Sequence, residues 1–196
     1  MSILGTGIEI INYPTVKVKA PDGVTEDQIS DEGRSFLDER GRFLKIHRGD
    51  FISGCTEIDN TLSEAISSFF FKDNTDINKR EQFHDFIIDT PIFSFIQKKK
   101  VLQSIMEKYP TDFPSFTGKS RQEMFNQINY IIKMRNAFAH GTLIINYGEK
   151  MEALSYFDSQ TNTRVEQTLT EEFFNELYKK LEDLSTQILE CIPSVE

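Results

Sequence analysis

Apolar residues recur at three- and four-residue spacings along most of the chain, most regularly at Phe51, Ile52, Ile58, Leu62, Ala65, Ile66, Phe69 and Phe70. That spacing predicts an amphipathic helix with one face on a core. Upstream, Phe36, Leu37, Phe43, Leu44 and Ile46 follow Asp31 and Glu32, acids suited to a first helical turn, so a helix is expected from about Ser30. Gly33, Gly41 and Gly49 weaken its continuity, and the stretch is read as a separate helix before the one at Phe51. Asp73-Asn74-Thr75 closes the second helix, a third segment runs from about Asn78 to Ile88, and Ser94 is a candidate N-cap for a helix through Glu107 that ends at Tyr109-Pro110. After a loop from Pro110 to Gly118, Arg121–His140 gives the cleanest helical pattern, with Gly141 fitting a C′ stop.

The period then changes. Residues 142–147, 152–157 and 164–169 read as strands, and Asp158-Ser159-Gln160-Thr161-Asn162 as the turn of a hairpin between the last two. Thr170-Glu171-Glu172 opens a final amphipathic helix carrying Phe173, Phe174, Leu177, Leu181, Leu184, Ile188 and Leu189 on one stripe. Residues 1–29 hold Pro14, Pro21 and the alternating run Val16-Lys17-Val18-Lys19, read as an exposed strand before a turn at Pro21-Asp22-Gly23, within an N-terminal arm. The expected fold is therefore mainly α, an antiparallel helical bundle with a small β-hairpin insertion before the last helix. The expected organisation is an arm at 1–29 and one helical domain at 30–196, with a strand-rich insert at about 142–169.

Composition narrows the chemistry. With 38% hydrophobic residues, and 17 Phe among them, the chain is too apolar for disorder. Cys55 and Cys191 lie far apart without zinc or disulfide-framework spacing, no His spacing suits a metal, and no cofactor is called for. A reducing cytosol is expected from that cysteine usage, and the lack of a signal stretch and of an apolar run of about 20 residues predicts a soluble protein that is not exported. A net charge of −9 argues against an extended grip on a phosphate backbone, so any nucleic-acid site has to be a local pocket. Gly118-Lys119-Ser120 mimics the end of a phosphate-binding loop, but Phe113 stands where its first glycine belongs, which removes nucleotide hydrolysis.

On a helix of about 100° per residue, Met124, Phe125, Ile128, Ile131, Ile132, Phe138 and Ala139 form one wide apolar arc, and Arg135 falls inside it. An inward Arg calls for a buried salt bridge, with Glu57 or Asp59 as candidate partners, for a subunit interface, or for an anion site. Asn136 and His140, four apart, share a flank bordering that arc, so the three residues can line one cleft. His transfers protons near neutral pH, and a guanidinium offers a fixed fork of donors to a phosphate gaining charge in a transition state. That inventory suits attack of an RNA 2′-hydroxyl on its own phosphodiester without a metal, although one His supplies one proton-transfer group where the reaction uses two.

The run Ile131-Ile132-Lys133-Met134-Arg135-Asn136-Ala137-Phe138-Ala139-His140-Gly141 resembles the HEPN signature: Arg, a polar residue, three variable residues, then His. The resemblance implies a helical bundle that pairs so that two signatures face one composite cleft, which brings in the second His. It further implies a metal-independent endoribonuclease, of the kind found among toxins and antiviral defence effectors, with Arg135, Asn136 and His140 as its catalytic residues. Glu57-Ile58-Asp59 through Phe71 and Phe93-Ser94-Phe95-Ile96-Gln97-Lys98-Lys99 are similar to the mannitol-operon repressor branch of these folds, so the resemblance covers about residues 45–192. That branch implies the alternative, a non-catalytic regulator or interaction module. The partners implied are an RNA substrate, a second copy of the chain and an antitoxin or regulatory protein, with no membrane. Lys98, Lys99, Lys100, Lys119, Arg121 and Lys133 are candidate RNA contacts, each with a solvated-face reading beside it. His140 has its own plain alternative as a helix-end residue favoured by the dipole. His47-Arg48 and His84 read as surface or satisfied core groups, and Phe69-Phe70-Phe71 as core or dimer packing.

Overall fold

The structure, a computed structural model, describes residues 16–21, 24, 28–71 and 77–192. The rest of the expected arm at 1–15, the turn residues Asp22 and Gly23, and the helix-closing Asp73-Asn74-Thr75 lie outside the described residues. The described part is mainly helical, with a four-stranded sheet whose strands β2 to β4 immediately precede the final helix. Helix α1 spans Asp31–Phe70, α2 Ile77–Phe83, α3 Phe95–Lys108, α4 Gly118–His140 and α5 Glu171–Leu189; strands β1 to β4 are Val16–Lys19, Thr142–Asn146, Met151–Asp158 and Thr163–Thr168.

The first two expected helices are one helix, α1. Leu37, Leu44, Phe51, Ile58 and Ala65 recur every seven residues and all are buried, so one inward stripe runs past the glycines. The four glycines of α1, Gly33, Gly41, Gly49 and Gly54, cost about 1 kcal/mol each in a helix, less than the burial of five such side chains returns. Gly33 has a packing reason as well, because a Cβ there would strike the side chains of Tyr147 and Ile29. The segment expected from Asn78 to Ile88 is α2 followed by a π-helical turn, His84–Ile88. Ser94 does cap α3: Gln97 Oε1 accepts from both Ser94 N, at 2.6 Å, and Ser94 Oγ, at 2.9 Å.

The described residues group into two compact units, one from those up to Ile52 with Met134–Leu177 and the other from those of Ser53–Lys133 with those from Tyr178 onward. In the first unit the sheet order is β1-β2-β3-β4. β1 runs parallel to β2, with Val16 opposite Leu143 and Val18 opposite Ile145, and the remaining pairs are antiparallel. The alternation at 16–19 is thus a strand, but not an exposed one: Val16 and Val18 are each only 2% exposed. The hairpin insertion is correspondingly a larger sheet, with β1 as one edge and β4 as the other. In the same unit Phe51, Phe138 and Phe174 pack in series, with ring centroids 5.2 and 6.1 Å apart.

The second unit buries Ile58, Leu62, Ile66, Leu102, Met106, Met124, Ile128, Leu184 and Ile188. Phe69 stacks near Phe113, while Phe70, read as core or dimer packing, is 55% exposed.

Gly141 is not a left-handed stop, since Gly118 is the glycine with positive φ among the described residues. Its N–H continues the helical pattern to Ala137 O at 2.7 Å. Glycine is needed for space: a Cβ would stand 2.9 Å from both Ser155 O and Leu154 Cδ1 on β3, besides striking Ala137 O. Gly141→Ala is therefore expected to destabilise by about 1 to 3 kcal/mol through overpacking against backbone that cannot yield. The urea midpoint reads this directly; an unchanged midpoint would show that β3 yields.

Candidate functional site

Helix α4 carries its buried residues on two different faces. Met124, Phe125, Ile128, Ile131 and Ile132 are buried around one direction, and Met134, Ala137 and Phe138 around another, about a third of the way round the helix. Arg135 lies over the first of these faces but in the turns that use the second. It is consequently exposed, and so are Asn136 and His140. The inward Arg expected from the periodicity is thus overturned. Of its three readings the buried ion pair goes with it, because Glu57 is exposed and Asp59 Oδ2 accepts from Lys98 Nζ at 3.0 Å.

Arg135, Asn136 and His140 all belong to the first unit, on the last two turns of α4. Arg135 Nη1 donates to Asn136 Oδ1 at 3.3 Å. That bond ties the guanidinium to the helix surface and leaves most of its fork turned to solvent. His140 is the last residue of α4, one turn beyond Asn136. Together they present a guanidinium, an amide and an imidazole, which is what a phosphodiester needs for charge stabilisation, orientation and proton transfer.

One neighbour had no signal in the sequence. Arg48, on α1, donates from Nη2 to Ala139 O at 3.0 Å, so it sits at the carbonyl preceding His140. Its Nη1 is buried and meets no acceptor among the described residues. Local periodicity could not find it, because the two residues are 91 positions apart.

The six candidate RNA-contacting cations have different surroundings. Lys98 is 4% exposed and ion-paired to Asp59 at 3.0 Å, with Asp89 at 3.8 Å, so it is a core cation rather than a surface one. Lys99 Nζ donates to Asn129 Oδ1 and Arg121 Nη1 to Met106 O. Lys119 pairs with Glu123 four residues on, Lys133 is half-buried with an interaction of its own, and Lys100 is exposed.

The other two histidines have partners away from Arg135, Asn136 and His140. His47 stacks on Phe174 at 4.3 Å and meets Phe43 edge-on at 4.2 Å. Burial lowers its pKa below the usual 6.5, and Arg40 adds to that against the opposing pull of Asp50 and Glu171. His84 Nδ1 lies 3.2 Å from Asp89 Oδ2 in the second unit. Neither cysteine is a candidate nucleophile: both are buried, and burial pushes the Cys191 thiol up to about 12.

No family model, curated protein or solved structure matches the chain. Among the described residues, no helix is long and apolar enough to cross a membrane.

Proposed function

We propose that the chain is a HEPN-type, metal-independent endoribonuclease that works as a homodimer, in the manner of a toxin or defence effector. The observation that carries this reading is the exposure of Arg135, Asn136 and His140 together at the end of α4, while Ala137 and Phe138 between them are buried. A helix that needed these side chains for packing would not leave all three in solvent.

The chemistry follows from the groups available. The RNA 2′-oxygen attacks the adjacent phosphorus, the P–O5′ bond breaks, and the products are a 2′,3′-cyclic phosphate and a free 5′-hydroxyl. One His140 takes the 2′-hydroxyl proton, and the His140 of a second copy gives a proton to the leaving oxygen. Arg135 faces the phosphoryl oxygens as their charge grows, and Asn136 orients the Arg135 guanidinium through the bond described above. The acidic chain holds RNA at this local site rather than along an extended basic surface.

Incubation of the protein with single-stranded and hairpin RNA in excess EDTA is expected to give cleavage with cyclic-phosphate and 5′-hydroxyl ends. Activity lost in EDTA and restored by a divalent ion, or 5′-phosphate ends, would overturn the mechanism. No cleavage of any RNA would leave the non-catalytic interaction module in its place.

A further inference from the structure

The last four carbonyls of a helix have no intrahelical donor, and each requires another partner. At the end of α4, Ala137 O takes the Gly141 N–H at 2.7 Å, and Ala139 O takes Arg48 Nη2 at 3.0 Å. Because Nη1 of the same guanidinium finds no acceptor among the described residues, the Ala139 bond is what orients it. His140 lies between these two anchored neighbours. On one side Arg48 holds the Ala139 carbonyl; on the other, Gly141 packs with no room for a Cβ beside Ser155 O and Leu154.

The His140 side chain itself is exposed. Its direction therefore depends on how firmly its backbone is held, and a final helical turn frays readily when its carbonyls lose their donors. Proton transfer demands a heavy-atom separation within about 2.6 to 3.2 Å, so fraying would remove the productive geometry without removing the imidazole.

We propose that Arg48 is a positioning residue for His140, holding the last turn of α4 so that the imidazole meets the RNA phosphodiester in one orientation. The inference rests on the reading of His140 as the proton-transfer group. A cation at a helix C-terminus also has a plain stabilising role through the dipole, and the two roles differ in what they predict. A dipole partner changes melting temperature. A positioning residue changes turnover.

Arg48→Met keeps much of the aliphatic length and removes the donors; Arg48→Lys keeps the charge and one donor group. Assayed on one RNA oligonucleotide well below the melting temperature, Arg48→Met is expected to lower kcat by about 10- to 100-fold with KM within about twofold, and Arg48→Lys to recover most of the loss. Amide hydrogen exchange at His140 and Gly141 is expected to quicken in Arg48→Met while the core of α4 keeps its protection. Parental kcat in Arg48→Met, alongside an inactive His140→Ala, overturns the positioning role and leaves the ribonuclease intact. A raised KM with unchanged kcat makes Arg48 an RNA contact and likewise overturns it. Unchanged exchange at His140 and Gly141 overturns it whatever the activity. A parent that cleaves no RNA overturns the ribonuclease and, with it, any catalytic role for Arg48.

Discussion

His140→Ala is expected to slow RNA cleavage by about 10² to 10⁴, the usual loss when a positioned general acid or base is removed. The side chain is exposed at the end of α4 and accepts no described hydrogen bond, so its structural share is confined to the helix dipole, at most about 1 kcal/mol. For a chain of this size that is a shift in melting temperature of about 2 to 4 °C. The fold should survive and the activity should not. Arg135→Ala makes a matched test, because its guanidinium is exposed and bonded to Asn136 rather than to a buried carboxylate. It is expected to cost little stability and about 10² to 10³ in rate, as removal of a transition-state donor does. Cleavage by His140→Ala as fast as the parent would end the enzymatic reading. A melting temperature that fell by 10 °C or more, about 3 kcal/mol or above, would mean that the residue holds the fold.

Arg40→Ala is expected to cost about 3 to 5 kcal/mol, the largest loss of stability predicted for any single charge in the first unit. Arg40 Nε is ion-paired with Glu152 Oε1, and the two side chains are 23% and 9% exposed. Both charges are thus largely removed from solvent, one on α1 and the other on β3. Loss of the guanidinium strands the Glu152 carboxylate, and it also removes the cation held 4.3 Å over the Phe43 ring. The energy lies in the stranded charge more than in the pair. Arg40→Met combined with Glu152→Gln is therefore expected to be much more stable than Arg40→Ala, which double-mutant urea titrations would measure. A cost below about 1 kcal/mol for Arg40→Ala would place the pair among solvent-screened surface bridges.

Much of this protein is legible one element at a time. The final helix, the strands around the 158–162 turn, the Ser94 cap and the placement of Arg135, Asn136 and His140 at the end of a helix all follow from residues within a turn or two of one another. Periodicity and capping act over that range, so the sequence alone determines them. What lies opposite each element is decided elsewhere. The burial of Val16 and Val18 requires β2 alongside, and the pairing of β1 with β2 joins segments far apart in the chain. Arg135 is exposed because α4 changes its buried face between Ile132 and Met134, a change that no property of the helix's own residues announces. Lys98 is buried because Asp59 and Asp89 come to meet it, and Arg48 reaches Ala139 from another helix. A helical pattern specifies which residues share a face. Which face finds a partner is a matter of long-range packing, and here that packing turned Arg135, Asn136 and His140 outward toward solvent.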